Sequence, residues 1–246
     1  MKLTVLDGPE ELAALAAEEI LGTVARKPDA ILILPTGNTP LPTYARVAKL
    51  SRERGVDWSR VRVVSLDEYS GIDREDPRVL GAWLERRFTS QVGIDAEHFI
   101  RFDPAGEPQR ECARIEAWLA DHGPADLAIL GLGLNGHLGF NEPGTPFASR
   151  AHHLALTPES IASNAVYWGG AQNVPRWAFT LGLGTLTEAR RIMLLVSGAS
   201  KAGIMARSVD GPVGSEVPAT ALRRRADTIV LADRDAAAAV AEGRMS

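Results

Sequence analysis

The chain has 246 residues, 45% hydrophobic and 24% charged, which supplies an ordinary core and argues against disorder. Lysine and arginine number 27 against 31 acidic residues, a formal charge of −4, so no polybasic field is available to hold nucleic acid or an anionic membrane. The single cysteine, Cys112, cannot build a disulfide framework or a cysteine metal site and fits a reducing cytoplasm; the expected partner is a small soluble molecule.

The first stretch, "MKLTVLDGPEELAALAAEEI", turns acidic after a few apolar residues, which is unlike a signal peptide, and no segment reads as entering a membrane. Pro9 stands near the start of the first helical pattern, "GPEELAALAAEEILGTVARK". The run "AILILP" follows, then the helical pattern "PTYARVAKLSRER", the run "VRVVSL", and the helical patterns "RVLGAWLERRFTS" and "QRECARIEAWLADH". The later runs are "DLAILGLG", "FTLGLG", "RIMLLVS" and "DTIVLAD", and "DAAAAVAEG" near the C-terminus reads as a terminal helix. Continuous rather than alternating apolar runs imply strands covered on both faces, with the helical patterns as crossovers. The expectation is an α/β fold: a Rossmann-like, three-layer, doubly wound and mostly parallel sheet. No composition break or Ser/Gly-rich linker divides the chain, so residues 1–246 read as one domain.

Four strand ends carry polar residues. In "LPTGNTPLPTY", Thr36, Gly37, Asn38 and Thr39 feed a helix that starts near Pro40 or Leu41, where free N–H groups and the dipole end favour an anion such as a phosphate. The competing reading is a plain cap by Thr39. In "VVSLDEYSG", Asp67 and Glu68 point to opposite sides of an extended chain, and Asp67, nearest the strand tip, is the candidate base; a turn or helix cap is its bland reading. In "GLGLNGHLGFNEPG", Gly131, Gly133 and Gly136 allow tight turning and close approach around His137 and Glu142, a pairing that holds an imidazole tautomer and places a proton donor. A dinucleotide fingerprint is rejected there, because the Pro and Gly residues after "GLGLNG" cannot continue as a helix. In "LLVSGASKAGIMARSVDG", Lys201 sits in a first helical turn, where a cation suits the helix only if an anion is bound; the alternative is a solvated lysine.

Taken in order, "PTGNTP", "SLDEY", "GLGLNGHLGFNEPG", "FTLGLGTL" and "VSGASKA" resemble the glucosamine-6-phosphate deaminase family, also called glucosamine-6-phosphate isomerases. The resemblance runs from residue 35 to 202, and the His motif with its "FNEPG" tail is its specific part. It implies conversion of an amino-sugar 6-phosphate to a ketohexose 6-phosphate plus ammonia, with no organic cofactor and no catalytic metal. Placed on matching positions, it implies Asp67 as the base between C2 and C1, His137 with Glu142 as the ring-opening group, and Gly37 to Thr39 with Lys201 as the phosphate site. The related 6-phosphogluconolactonases resemble it in fold, but their His motif does not continue into "NEPG".

Two departures qualify the resemblance. The deaminases typically carry "DGH" where this chain has "NGH"; Asn135 cannot supply that charge but can orient the imidazole by a hydrogen bond. An "ANSRFF"-like segment supplies a phosphate-binding arginine in the family, whereas this chain reads "SNAVYW", with Ala165 in place of the guanidinium and Arg176 or Arg150 as substitutes. The "NGHLG" spelling resembles the galactosamine-6-phosphate branch, so the C4 epimer is a second candidate substrate. A C-terminus shorter than that of the regulated members leads us to expect a lost allosteric site; self-association into a homo-oligomer is left open. Two other functions compete: a non-catalytic sugar-phosphate sensor, which needs no base on the reacting carbon, and a lactonase.

Overall fold

The computed structural model describes residues 1–225 and 227–241. Its strands are β1 (Lys2–Leu6), β2 (Ile31–Leu34), β3 (Arg62–Ser65), β4 (Asp67–Ser70), β5 (Phe99–Ile100), β6 (Leu127–Gly131), β7 (His152–Ala155), β8 (Trp177–Thr180), β9 (Ile192–Val196) and β10 (Thr228–Asp233). The helices are α1 (Pro9–Arg26), α2 (Leu41–Arg54), α3 (Leu80–Leu84), α4 (Ser90–Val92), α5 (Pro108–His122), α6 (Pro158–Trp168), α7 (Leu183–Thr187), α8 (Ala202–Val209) and α9 (Arg234–Ala237). A π-turn, Glu85–Thr89, joins α3 to α4.

Seven strands form one parallel sheet in the order β1-β10-β9-β6-β2-β3-β5. Successive side chains point to opposite faces, and both faces are buried. Ile31 and Ile33 enter one core with residues of α5, α7, α8 and α9, while Leu32 and Leu34 enter the other with residues of α1 and α2. That is why these strands read as unbroken apolar runs. From β2 the chain adds β3 and β5 on one side, and from β6 it adds β9 and β10 on the other. The strand order therefore reverses between β2 and β6, which opens a crevice beyond their carboxyl ends.

The structure departs from the sequence expectation in three respects. The run "FTLGLG" contributes β8 not to the parallel sheet but to a second, antiparallel sheet of order β4-β8-β7. Phe179 of β8 packs into a main core and its neighbour Ala178 into a small third cluster with Tyr69, Phe140 and Trp168, so the strand is covered on both faces without being parallel. Strands β1, β4, β5 and β7 were not anticipated; β4 is "DEYS", without an apolar run, and β5 has only two residues. The terminal helix is Arg234–Ala237, which begins one residue before the expected "DAAAAVAEG" and ends inside it; Glu242 and Gly243 of that stretch lie outside the described residues. Among the described residues no helix is long and apolar enough to cross a membrane.

Candidate active site

A cavity of about 450 Å³ lies over the crevice, within the usual range for small-ligand pockets. The loops after β2, β3, β6 and β9 supply its floor, and α6 closes one side. Of the candidate catalytic and phosphate-binding residues, Thr36, Gly37, Asn38, Thr39, Asp67, His137 and Lys201 line it, and Asn135 and Glu142 stand just behind His137.

The loop after β2 is held at its base by the buried Tyr44 hydroxyl, which donates to the Pro35 carbonyl at 2.7 Å. Gly37 has φ +110°, a left-handed conformation that a side chain would strain. Among the described residues the backbone N–H groups of Gly37, Asn38 and Thr39 find no acceptor. Thr39 is not a cap: Pro40 occupies the cap position of α2, and no side chain caps that helix. The loop thus offers unspent donors ahead of a helix N-terminus, a setting that suits an anion.

The chain leaves the parallel sheet at Leu66, and the two carboxylates that follow diverge. Glu68 turns away from the cavity and accepts from the backbone N–H groups of Tyr69, Leu80 and Gly81, each at 2.8 Å, which ties β4 to the start of α3. Asp67 faces the cavity, and its buried Oδ1 has no hydrogen-bond partner. Burial, reinforced by the neighbouring Glu68, pushes the Asp67 carboxyl up to about 7. Burial also pushes Glu68 up to about 7 against the pull of its three donors.

After β6 the glycine turn brings His137 into the cavity. A Cβ on Gly133 would collide with the His137 ring, so the glycine is required by close approach; Gly131, by contrast, has open space around it. The Asn135 carbonyl accepts from the His137 backbone N–H at 3.1 Å, and its amide donates to Glu142 Oε2 at 2.7 Å. Both ends of the Asn135 side chain are therefore occupied away from the imidazole, which corrects the expectation that Asn135 bonds the ring. The same Oε2 lies 3.6 Å from His137 Nδ1, an ion-pair distance rather than a hydrogen bond, and Nδ1 is buried without a partner. Burial alone would raise the Glu142 carboxyl, but His137, Ser160 and Asn135 beside it bring it below its ordinary value.

The loop after β9 is anchored by Asp233 at the end of β10, which accepts from the Ser197 hydroxyl at 2.5 Å and the Gly198 N–H at 3.0 Å. That anchor sets the turn Ala199–Lys201, whose lysine lines the cavity with its ammonium lowered by burial.

Several cavity residues carried no usable sequence signal. Ser163, Asn164, Tyr167 and Trp168 come from α6, and the Tyr167 hydroxyl accepts from the Asn38 amide at 2.9 Å. Arg78 lies with its guanidinium 4.1 Å over the Trp168 ring and is paired with Asp76. Apart from His137, Arg78 and Lys201 are the cationic side chains on the cavity wall among the described residues. The proposed substitutes lie elsewhere: Arg150 is held by Glu116 and Glu188, and Arg176 lines a separate cavity with Pro158, Ile161 and Trp177. Ala165 packs on the cluster of Tyr69 and Trp168; counted from Asn164, the arginine of "ANSRFF" falls on Val166, which is 79% exposed. Among the described residues no group of three or more His, Cys, Asp or Glu is placed to hold a metal.

Several known proteins are similar to this chain. A glucosamine-6-phosphate deaminase of Bacillus subtilis (strain 168) is 37% identical over 238 residues, covering 96% of this chain and 98% of its own. One from Arthrobacter sp. (strain FB24) is 36% identical, covering 98% and 93%. The solved structure of a monomeric glucosamine-6-phosphate deaminase superposes with TM-score 0.95 at 36% identity, over 97% of this chain and 100% of that one. A 6-phosphogluconolactonase from Thermotoga maritima shares the fold, with TM-score 0.74 at 18% identity over 94% of this chain and 99% of its own. Residues 8–231 match the family described as glucosamine-6-phosphate isomerases/6-phosphogluconolactonase, and the chain belongs to that family.

Proposed function

We propose that this chain converts glucosamine 6-phosphate and water to fructose 6-phosphate and ammonia, acting in the cytoplasm. The observation that carries the reading is Asp67: a buried carboxylate without a hydrogen-bond partner, poised at about 7, in the same cavity as a histidine–carboxylate pair and an anion loop. A sensor would need only the anion loop, and a site that keeps a buried, unpaired base suits proton abstraction beside a carbonyl. The relatives at 36–38% identity named as glucosamine-6-phosphate deaminases support the same substrate.

The residues divide the work. The N–H groups of Gly37, Asn38 and Thr39, with Lys201, hold the phosphate dianion; Thr36 shapes the loop, and Arg78 adds a second positive charge on the wall. Binding energy from the phosphate positions the sugar for reaction at its other end. His137, backed by Glu142 and with Asn135 holding that carboxylate, moves the proton between O1 and the ring oxygen that opens the pyranose. Asp67 then takes the proton from C2 and returns it to C1. A proton passes from the C2 amino nitrogen to O1, so that the C1 aldehyde becomes an alcohol and C2 becomes an imine, which water cleaves to the ketone and ammonia.

Ammonia release from glucosamine 6-phosphate, galactosamine 6-phosphate and unphosphorylated glucosamine, with lactone hydrolysis of 6-phosphogluconolactone measured alongside, tests the reading. Release from glucosamine 6-phosphate above the others is expected. Lactone hydrolysis without ammonia would identify a lactonase, and binding without turnover a sensor; preference for galactosamine 6-phosphate would replace the substrate but keep the chemistry.

A further inference from the structure

Ser163, Asn164, Tyr167 and Trp168 of α6 line the cavity, and Ser160 lies on the same face one turn earlier. Ser160 is 2% exposed, and its backbone is fixed at the start of the helix by its N–H bond to the capping Thr157 hydroxyl at 3.2 Å. Its own hydroxyl donates to Glu142 Oε1. The Glu142 carboxylate is thereby divided: Oε1 is held from α6, and Oε2 is held by Asn135 and faces His137 Nδ1. The groups facing this carboxylate are His137 and Asn135 from its own loop and Ser160 from α6, and of these only His137 titrates.

A carboxylate held at one oxygen can still swing about its last torsion, whereas one held at both has a fixed plane. We infer that Ser160 is a positioning residue for the reaction, fixing Glu142 so that Oε2 faces His137 and making the acid–base pair depend on the seating of α6. This rests on the deaminase reading above. At its other end α6 touches the anion loop through Tyr167 and Asn38, so the helix joins the two ends of the cavity. The bland reading, a serine satisfying itself on a buried helix face, explains its hydrogen bond but not its choice of partner.

The test uses the full chain, Ser160→Ala and Ser160→Thr, with kcat and KM for glucosamine 6-phosphate followed across pH and the melting midpoint as a fold control. Below about 7 protonation of Asp67 makes log kcat fall with unit slope, and the slope steepens where Glu142 also gains a proton. A donor to the ionised form favours it, so removing the donor lets Glu142 keep its proton to higher pH. Ser160→Ala is expected to lower kcat by about tenfold, leave KM within about twofold, and move the steepening upward by about half a pH unit or more. Ser160→Thr, which keeps the hydroxyl, should restore most of the loss. A parent chain that releases no ammonia overturns the deaminase reading itself. An active parent with a Ser160→Ala variant that keeps both kcat and the steepening point overturns the role of Ser160 alone. If the alanine variant melts early, the threonine variant decides: a steepening point displaced from the parent's overturns the inference.

Discussion

The two ends of the cavity are built on opposite plans. At the anion end, backbone donors stand ready without acceptors and one lysine is half buried, so recognition waits for a ligand. At the acid–base end nearly every polar atom of Asn135, Glu142 and Ser160 is already spent, whereas among the described residues neither the Asp67 carboxylate nor the His137 ring makes a hydrogen bond. Binding is thus left to main-chain geometry, while chemistry is left to a carboxylate and an imidazole without hydrogen-bond partners, held by a satisfied frame. The adjacent carboxylates repeat the contrast within two residues: Glu68 has three donors and holds the fold, and Asp67 keeps an oxygen free.

The strongest break in that contrast is Asp67→Asn. Turnover should fall by roughly two or more orders of magnitude, the usual size of a general-base contribution, with KM for the phosphorylated sugar little changed. The variant should also melt higher at pH 8 than the parent. A carboxyl raised from 3.8 to about 7 binds its proton more tightly in the folded state, so ionising it costs stability at every pH above 3.8, increasingly up to about 7 and constantly beyond. The gain in Tm should vanish at pH 4. Glu68→Gln should gain less: it removes a like ionisation cost, since Glu68 is raised to about 7 as well, but it turns an amide NH2 toward one of the three N–H groups that the carboxylate accepts from. Equal turnover in Asp67→Asn and the parent would remove Asp67 from the mechanism.

The same carboxyl sets the pH response. In the parent, kcat/KM should drop about tenfold per pH unit below about 7, as Asp67 takes up the proton that disables it as a base. A profile flat down to pH 5 would mean that no buried carboxylate acts as the base.

At the anion end the effects fall on binding. Lys201→Ala should raise KM for glucosamine 6-phosphate by about ten- to a hundredfold with a much smaller change in kcat, and weaken competition by inorganic phosphate. Absence of phosphate competition in the parent would dismiss the anion site. Arg78→Gln should raise KM only several-fold, because the Arg78 guanidinium is already paired with Asp76 and stacked on Trp168.

The four strand-end segments were legible because each is local: a few consecutive residues directly after an apolar run, with glycine where the backbone must turn or the His137 ring must fit. Those runs also marked β2, β3, β6, β9 and β10. What stayed hidden depends on partners distant in the chain. Arg78 sits in an unremarkable acidic loop and gains its place only from Trp168, which packs over it from α6. The α6 face looked like the loss of an arginine, although Ser160, Ser163, Asn164 and Tyr167 repeat at helical spacing and form a polar stripe that periodicity could have found. Strand β8 misled for a related reason: an apolar run reports two covered faces, and covering by a second sheet reads the same as covering by helices.

The smallest expected effect belongs to Asn135, and there the geometry changes the sign of the reasoning. Were its side chain against the imidazole, Asn135→Asp would simply favour a charged ring. Instead its amide donates to Glu142 Oε2, so an aspartate would set a second carboxylate where that donor stood, 2.7 Å from the first. Two carboxylates at that separation cannot both ionise freely and come to share a proton. The pair should then hold that proton to higher pH than Glu142 alone. Activity of Asn135→Asp should fall a few-fold near neutrality and recover toward the parent's at alkaline pH, where the shared proton leaves. The carbonyl that accepts the His137 N–H is kept by the substitution, so the turn and the Tm should persist. A loss that is equal at all pH values would place the effect of residue 135 in the turn rather than in the carboxylate, and the division between a satisfied frame and two unpaired side chains would have to be redrawn around Glu142.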